Sequence, residues 1–179
     1  MHNVFVIGDL HFNHTNILTL ENRPFVSVEA MNLALIKNWN NIVGKFDHVY
    51  VLGDFAFGKC SHILSQLKGV KILVMGNHDR RKSTKQWIAQ GFHQVINFPI
   101  IYTCKQSVHY NNKFIFSHEP IDATIGSGIG YFKNVCAHKH SKGISDANHF
   151  FVSVELTNYK PVNITVVDDY FNNFKGDLL

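Results

Sequence analysis

The chain has 179 residues and a formal net charge of +4, with 45% hydrophobic and 17% charged residues. That balance excludes a disordered chain, and no apolar run approaches the ~18 residues of a membrane span. The positive charge suits a phosphate-bearing substrate, but it is too mild and dispersed to indicate stable nucleic-acid binding.

Val4–Ile7 reads as a buried strand. Ser27 can cap a helix running to about Val43, with Val28, Met31, Leu35, Trp39 and Ile42 on one stripe. His48–Leu52 is a second strand, followed by a short helix that Ser61 can cap and Gly69 ends. Lys71–Met75 is a third strand. Ser83 and Gln86 form a capping box for another helix, with Gly91 just past its end. This strand–helix alternation predicts parallel pairing and an α/β core.

The second half changes character. Gln94–Ile101, Ser107–Tyr110, Lys113–Ser117, Val135–Ala137, Phe150–Glu155 and Asn163–Val167 read as strands. Asn111-Asn112 is a two-residue hairpin signal, because Asn tolerates positive φ. A more antiparallel, β-rich layer is expected here. At roughly 100–200 residues per domain, the whole chain, residues 1–179, is expected to form one domain.

Five of these strands end alike. They run into Gly8-Asp9-Leu10-His11, Gly53-Asp54, Gly76-Asn77-His78-Asp79, Ser117-His118 and His138-Lys139-His140. Ligands of α/β sheets bind at the carboxyl ends of strands. Here each end delivers an acid, an amide or an imidazole. Histidine is also abundant, at 12 residues against 13 Asp plus Glu. Buried imidazoles at His118, His138 and His140 would each be costly without partners, and a shared metal centre satisfies them together. Asp9, His11, Asp54, Asn77, His118, His138 and His140 make seven candidate ligands. One tetrahedral zinc uses four or fewer, so seven suit two divalent ions about 3.5–4 Å apart with a bridging carboxylate. Oxygen and imidazole donors without thiolate favour Mn²⁺, with Fe²⁺, Zn²⁺ and Ni²⁺ as alternatives.

The ordered set Asp9-x-His11, Gly53-Asp54, Gly76-Asn77-His78-Asp79, His118 and His138-x-His140 resembles the calcineurin-like metallophosphoesterase superfamily. The wording around Asp9–Ile17 and Leu52–Gly58 is similar to the compact bacterial and phage phosphoesterases. The resemblance implies two β-sheets flanked by helices, an αββα sandwich. It implies that Asp9, His11 and His140 hold one metal, that Asn77, His118 and His138 hold the other, and that Asp54 bridges them. His78 would face the phosphate as a catalytic residue, with Asp79 orienting it. Ala137 stands where the family usually has Gly, which fits if its φ is negative.

The expected reaction is metal-assisted phosphoester hydrolysis by an activated water, on a nucleotide or another small phosphodiester. His14 and Arg80 are candidate substrate contacts. Gly126–Gly130 does not follow a strand and is read as a loop rather than a nucleophile elbow; the surrounding 122–133 loop is a candidate substrate wall. Cys60, Cys104 and Cys136 form no CxxC, and Met1–Val4 begins no secretory signal, so a reducing, cytoplasmic compartment is expected. The alternatives are a phosphomonoesterase or protein phosphatase, or a metal-binding module without catalysis.

Overall fold

The computed structural model describes residues 2–105, 112–122 and 132–174. The elements in chain order are β1 (Val4–Ile7), α1 (Ile17–Leu20), α2 (Val28–Ile42), β2 (His48–Leu52), α3 (Ser61–Leu64), β3 (Val70–Val74), α4 (Thr84–Gln90), β4 (Gln94–Ile96), β5 (Ile100–Thr103), β6 (Lys113–Phe116), β7 (Lys133–Cys136), β8 (His149–Phe151), β9 (Val162–Asn163) and α5 (Ile164–Asn173). They form a five-stranded sheet, β4-β3-β2-β1-β9, and a four-stranded sheet, β5-β6-β7-β8. Two mixed sheets flanked by helices make the expected α/β sandwich.

Period-two alternation divides β1 between two cores. Phe5 and Ile7 join Met31, Leu35 and Trp39 of α2 in one core cluster. Val4 and Val6 join Phe114, Phe116 and Val135 of the second sheet in the other. The α2 stripe holds for Val28, Met31, Leu35 and Trp39, but Ile42 is exposed and Val43 enters the core in its place; the Ser27 side chain accepts from Ala30 N at the helix start. Ser83 and Gln86 complete their capping box on α4, and Gly91 ends it at φ 125°.

Four expectations are corrected. Ser61 is the first residue of α3 and makes no cap; Cys60 precedes it. Gln94–Ile101 is not one strand but two, β4 in the first sheet and β5 in the second. Pro99 lies at the break, where its missing N–H cannot continue a ladder. Asn163–Val167 is mostly helix. The Asn163 side chain accepts from Thr165 N at 3.0 Å, and Ile164 and Val167 then follow helical spacing into the inter-sheet core. Finally, β5 and β6 pair antiparallel, but β6, β7 and β8 are parallel. Long crossovers join them, as parallel neighbours require. The Ser107–Tyr110 strand, Asn111 of the turn and the Gly126–Gly130 stretch lie outside the described residues, as does most of the 122–133 loop.

Ala137 keeps an ordinary negative φ. Its methyl group fills space above Gly8, where an added Cβ would lie 2.4 Å from Ala137 Cβ. Gly8→Ala is therefore expected to cost roughly 1–3 kcal/mol, the usual penalty of overpacking. Ala137→Gly in the same chain should recover part of it, as read by thermal unfolding.

Candidate active site

β1, β2, β3, β6 and β7 all end at one rim of the sandwich, and their following loops carry all seven candidate ligands. Asp9, His11, Asp54, His138 and His140 have φ between 50° and 69°. Such left-handed conformations cost roughly 1–3 kcal/mol each in non-glycine residues and gather at functional sites. Cross-strand hydrogen bonds hold them. His11 N donates to Asp54 O at 2.9 Å, and His138 N donates to Asp9 Oδ2 at 2.8 Å.

The ligand atoms form two adjoining groups. Atoms of Asp9, His11 and His140 lie within 4.8 Å of one another. In the second group, His118 Nε2 is 2.9 Å from Asn77 Oδ1 and 3.1 Å from His138 Nδ1. Asp54 Oδ2 stands between the groups, 3.6 Å from His11 Nε2 and 3.5 Å from His118 Nε2. Those two separations exceed hydrogen-bonding range.

Burial sets the charge states. It raises the Asp9 carboxyl to about 7, against the lowering pull of His140. It lowers His118 to about 4, and it holds His11 far below the usual imidazole range with the charge of His140 adding to the effect. Both rings are thus neutral near pH 7, the form that binds metal. Burial also raises Asp54, opposed by the hydrogen bond from the His78 backbone and the His78 charge. Among the described residues, the buried atoms Asp9 Oδ1 and His11 Nε2 have no hydrogen-bond partner. Unpartnered buried ligand atoms are costly in a core and are satisfied by a cation. The donor set therefore fits divalent metal.

His78 is half-buried at the mouth, with Nε2 3.8 Å from Asp54 Oδ2. The expectation that Asp79 orients the His78 ring is corrected. The Asp79 carboxylate accepts from the backbone N–H groups of Asp54, Phe55 and Gly76 at 2.7, 3.0 and 2.9 Å. It ties the β2 and β3 loops together, and the acid beside the His78 ring is Asp54.

His14 does reach the site. Its Nδ1 is 3.3 Å from His11 Nδ1, and its ring stacks on Phe57 at 4.0 Å. Arg81 lies over the same Phe57, 5.5 Å from the ring centre. Arg80 is exposed and lines a cavity together with His118. Sequence reasoning missed Phe57, although it follows Asp54 by only three positions.

It also missed a buried network behind the ligands. Ser153 Oγ donates to Asp9 Oδ2 at 2.6 Å. His140 Nδ1 lies 3.1 Å from Glu155 Oε1. Arg23 pairs with Glu155 at 2.6 Å and donates to the carbonyls of Asp9 and Leu10. Burial works against charge on His140, but the Glu155 hydrogen bond and the Asp9 charge outweigh it and raise its pKa. A signal existed: Phe150–Glu155 is another apolar run ending in polar residues at alternate positions. No local pattern marks Arg23. Glu155→Gln is expected to weaken metal binding roughly 10–100-fold, the usual effect of losing a residue that orients a ligand. Metal titration followed by calorimetry checks this.

Residues 2–177 match the family described as calcineurin-like phosphoesterase. The chain belongs to the calcineurin-like phosphoesterase family. It is 32% identical over 180 residues to an uncharacterised protein of Methanocaldococcus jannaschii, covering 93% of this chain and 90% of the relative. It is 36% identical over 85 residues to the gene 66 protein of Mycobacterium phage L5, covering 44% of this chain and 41% of that one. Among solved structures, a protein of unknown function from Aquifex aeolicus superposes with a TM-score of 0.70 at 22% identity, covering 94% of this chain and 99% of that one; that likeness concerns the fold. The family is one of divalent-metal hydrolases with phosphate-ester substrates. Among the described residues no helix is long and apolar enough to cross a membrane.

Proposed function

We propose that the chain is a dinuclear-metal phosphodiesterase acting on a nucleotide or another small phosphodiester. The observation that carries this reading is Asp54 Oδ2 lying 3.6 Å and 3.5 Å from imidazole nitrogens of two separate ligand groups. In this reading Asp9, His11 and His140 hold one cation, Asn77, His118 and His138 the other, and Asp54 both. Mn²⁺ suits these donors best, ahead of Fe²⁺, Zn²⁺ and Ni²⁺. Bound divalent cations supply Lewis-acid charge to a phosphate and lower the pKa of a water.

The chain's own groups do the rest. His78 is held by its backbone N–H, which donates to Asp54 Oδ1 at 3.0 Å. Its ring, 35% exposed, faces the open side, where it adds positive charge and donates a proton to the leaving oxygen. His14, beside His11, and Arg80, which lines a cavity with His118, are the substrate contacts. No thiol is called on as nucleophile: Cys60, Cys104 and Cys136 are buried, and burial pushes Cys60 up to about 12. We further read residues 1–179 as one domain working in the cytoplasm, a compartment that keeps such thiols reduced.

The test is turnover of bis-p-nitrophenyl phosphate beside p-nitrophenyl phosphate, with Mn²⁺ supplied. Hydrolysis of the diester alone supports the proposal. Hydrolysis of the monoester alone makes the chain a phosphomonoesterase, and hydrolysis of neither, with metal bound, makes it a binding module.

A further inference from the structure

One cavity adjoins the site at His118, and a second lies beside it. The first, of 160 Å³, is lined by His118 together with Arg80, Asn97, Phe98, Glu119 and Pro120. The second, of 410 Å³, continues past Arg80 to Lys82. Met75, Arg80 and Asn97 line both, so the two cavities adjoin there. The larger by itself falls in the range of small-molecule sites.

The walls differ in chemistry. Phe98 is 69% exposed, although it lies in the short crossing between β4 and β5. Pro99 follows it, and Asn97 before it is held by Thr84 Oγ1, which donates to Asn97 Oδ1 at 3.2 Å. Its ring is thus presented to solvent on a braced segment rather than packed into a core. An exposed aromatic ring beside a phosphoester site offers a stacking face for a base. Arg80, which lines both cavities, offers the planar fork that matches phosphate oxygens. Glu119 is exposed and adjoins His118. Its carboxylate repels phosphate but accepts from a ribose hydroxyl or a base amino group. An alkyl or lipid substituent would leave that acceptor unused.

We propose that these two cavities form one cleft, a subsite for a nucleoside esterified to the scissile phosphate, with Phe98 as the platform for its base and Arg80 as a phosphate contact. The proposal rests on the phosphodiesterase reading and narrows its substrate to nucleotide diesters.

The test compares p-nitrophenyl thymidine 5′-phosphate with methyl p-nitrophenyl phosphate, two diesters with one leaving group, on the Mn²⁺-supplied protein. The parent's ratio of kcat/KM, nucleoside over methyl, is expected to be about tenfold or more, the scale of one base–aromatic stack. Phe98→Ala should bring it close to one, and Phe98→Trp should preserve it. Because Phe98 is exposed, both variants should melt like the parent. A ratio near one in the parent, or a ratio that Phe98→Ala leaves unchanged, overturns the proposal. Calorimetric binding of thymidine 5′-phosphate against ribose 5-phosphate provides a readout independent of turnover. Tighter binding of the nucleotide, lost in Phe98→Ala, supports the subsite, and equal affinities overturn it. If neither diester is hydrolysed, the hydrolase reading fails and the cleft is judged on that binding alone.

Discussion

Asp54→Asn is expected to abolish metal-dependent turnover and to lower metal affinity by more than the ~10–100-fold typical of residues behind the ligands. Asn keeps the shape and loses the charge, so the two ligand groups remain near each other without the anion between them. Its oxygen can still accept from the His78 backbone, which preserves the loop. The expected sign on stability is opposite. Without metal, burial chiefly raises the pKa of both Asp9 and Asp79 and the Asp54 charge adds to each shift, so Asp54 repels both of these carboxylates. In the presence of a chelator, Asp54→Asn should melt at or above the parent's temperature. With Mn²⁺ added, the parent should gain stability and the variant should not, because a ligand stabilises only the fold that binds it. Thermal melts with and without metal, beside metal content by mass spectrometry, check all three statements. Lower stability of the metal-free variant would contradict the repulsion.

His78→Ala should behave differently. Its imidazole is 35% exposed and belongs to neither ligand group, so both metals should remain. Turnover should fall by roughly 10²–10⁴-fold, the range for a positioned proton donor. The loss should shrink for substrates with better leaving groups, because a good leaving oxygen needs no proton. Comparing p-nitrophenyl with phenyl esters separates this from general damage to the site. If metal content falls in step with activity, His78 is a ligand instead.

The first half of the fold was legible in the chain because its patterns are local. The Ser27 and Ser83 caps, the α2 stripe and three apolar runs each need only neighbours within a few positions. The second half was less so. Asn163–Val167 contains β-branched residues that suit a strand, yet the Asn163 cap and the position of the inter-sheet core make it a helix. Likewise, an apolar run such as Gln94–Ile101 does not announce that it serves two sheets. Strand direction in the second sheet is not legible for the same reason: a crossover and a hairpin look alike until their ends are placed.

The candidate site divides along the same line. The sequence alone determined which residues can bind metal, their order and their position at strand ends, because donor chemistry and the strand-to-loop switch are written in adjacent residues. Tertiary structure decided which of them meet. It set Asp54 between His11 and His118, and it turned Asp79 away from His78 toward three backbone amides. It brought Arg23 and Glu155 together behind His140 across most of the chain. The physical reason is distance: a charge buried in this fold needs a partner within a few ångströms, and the partner can come from any strand that ends at the same rim.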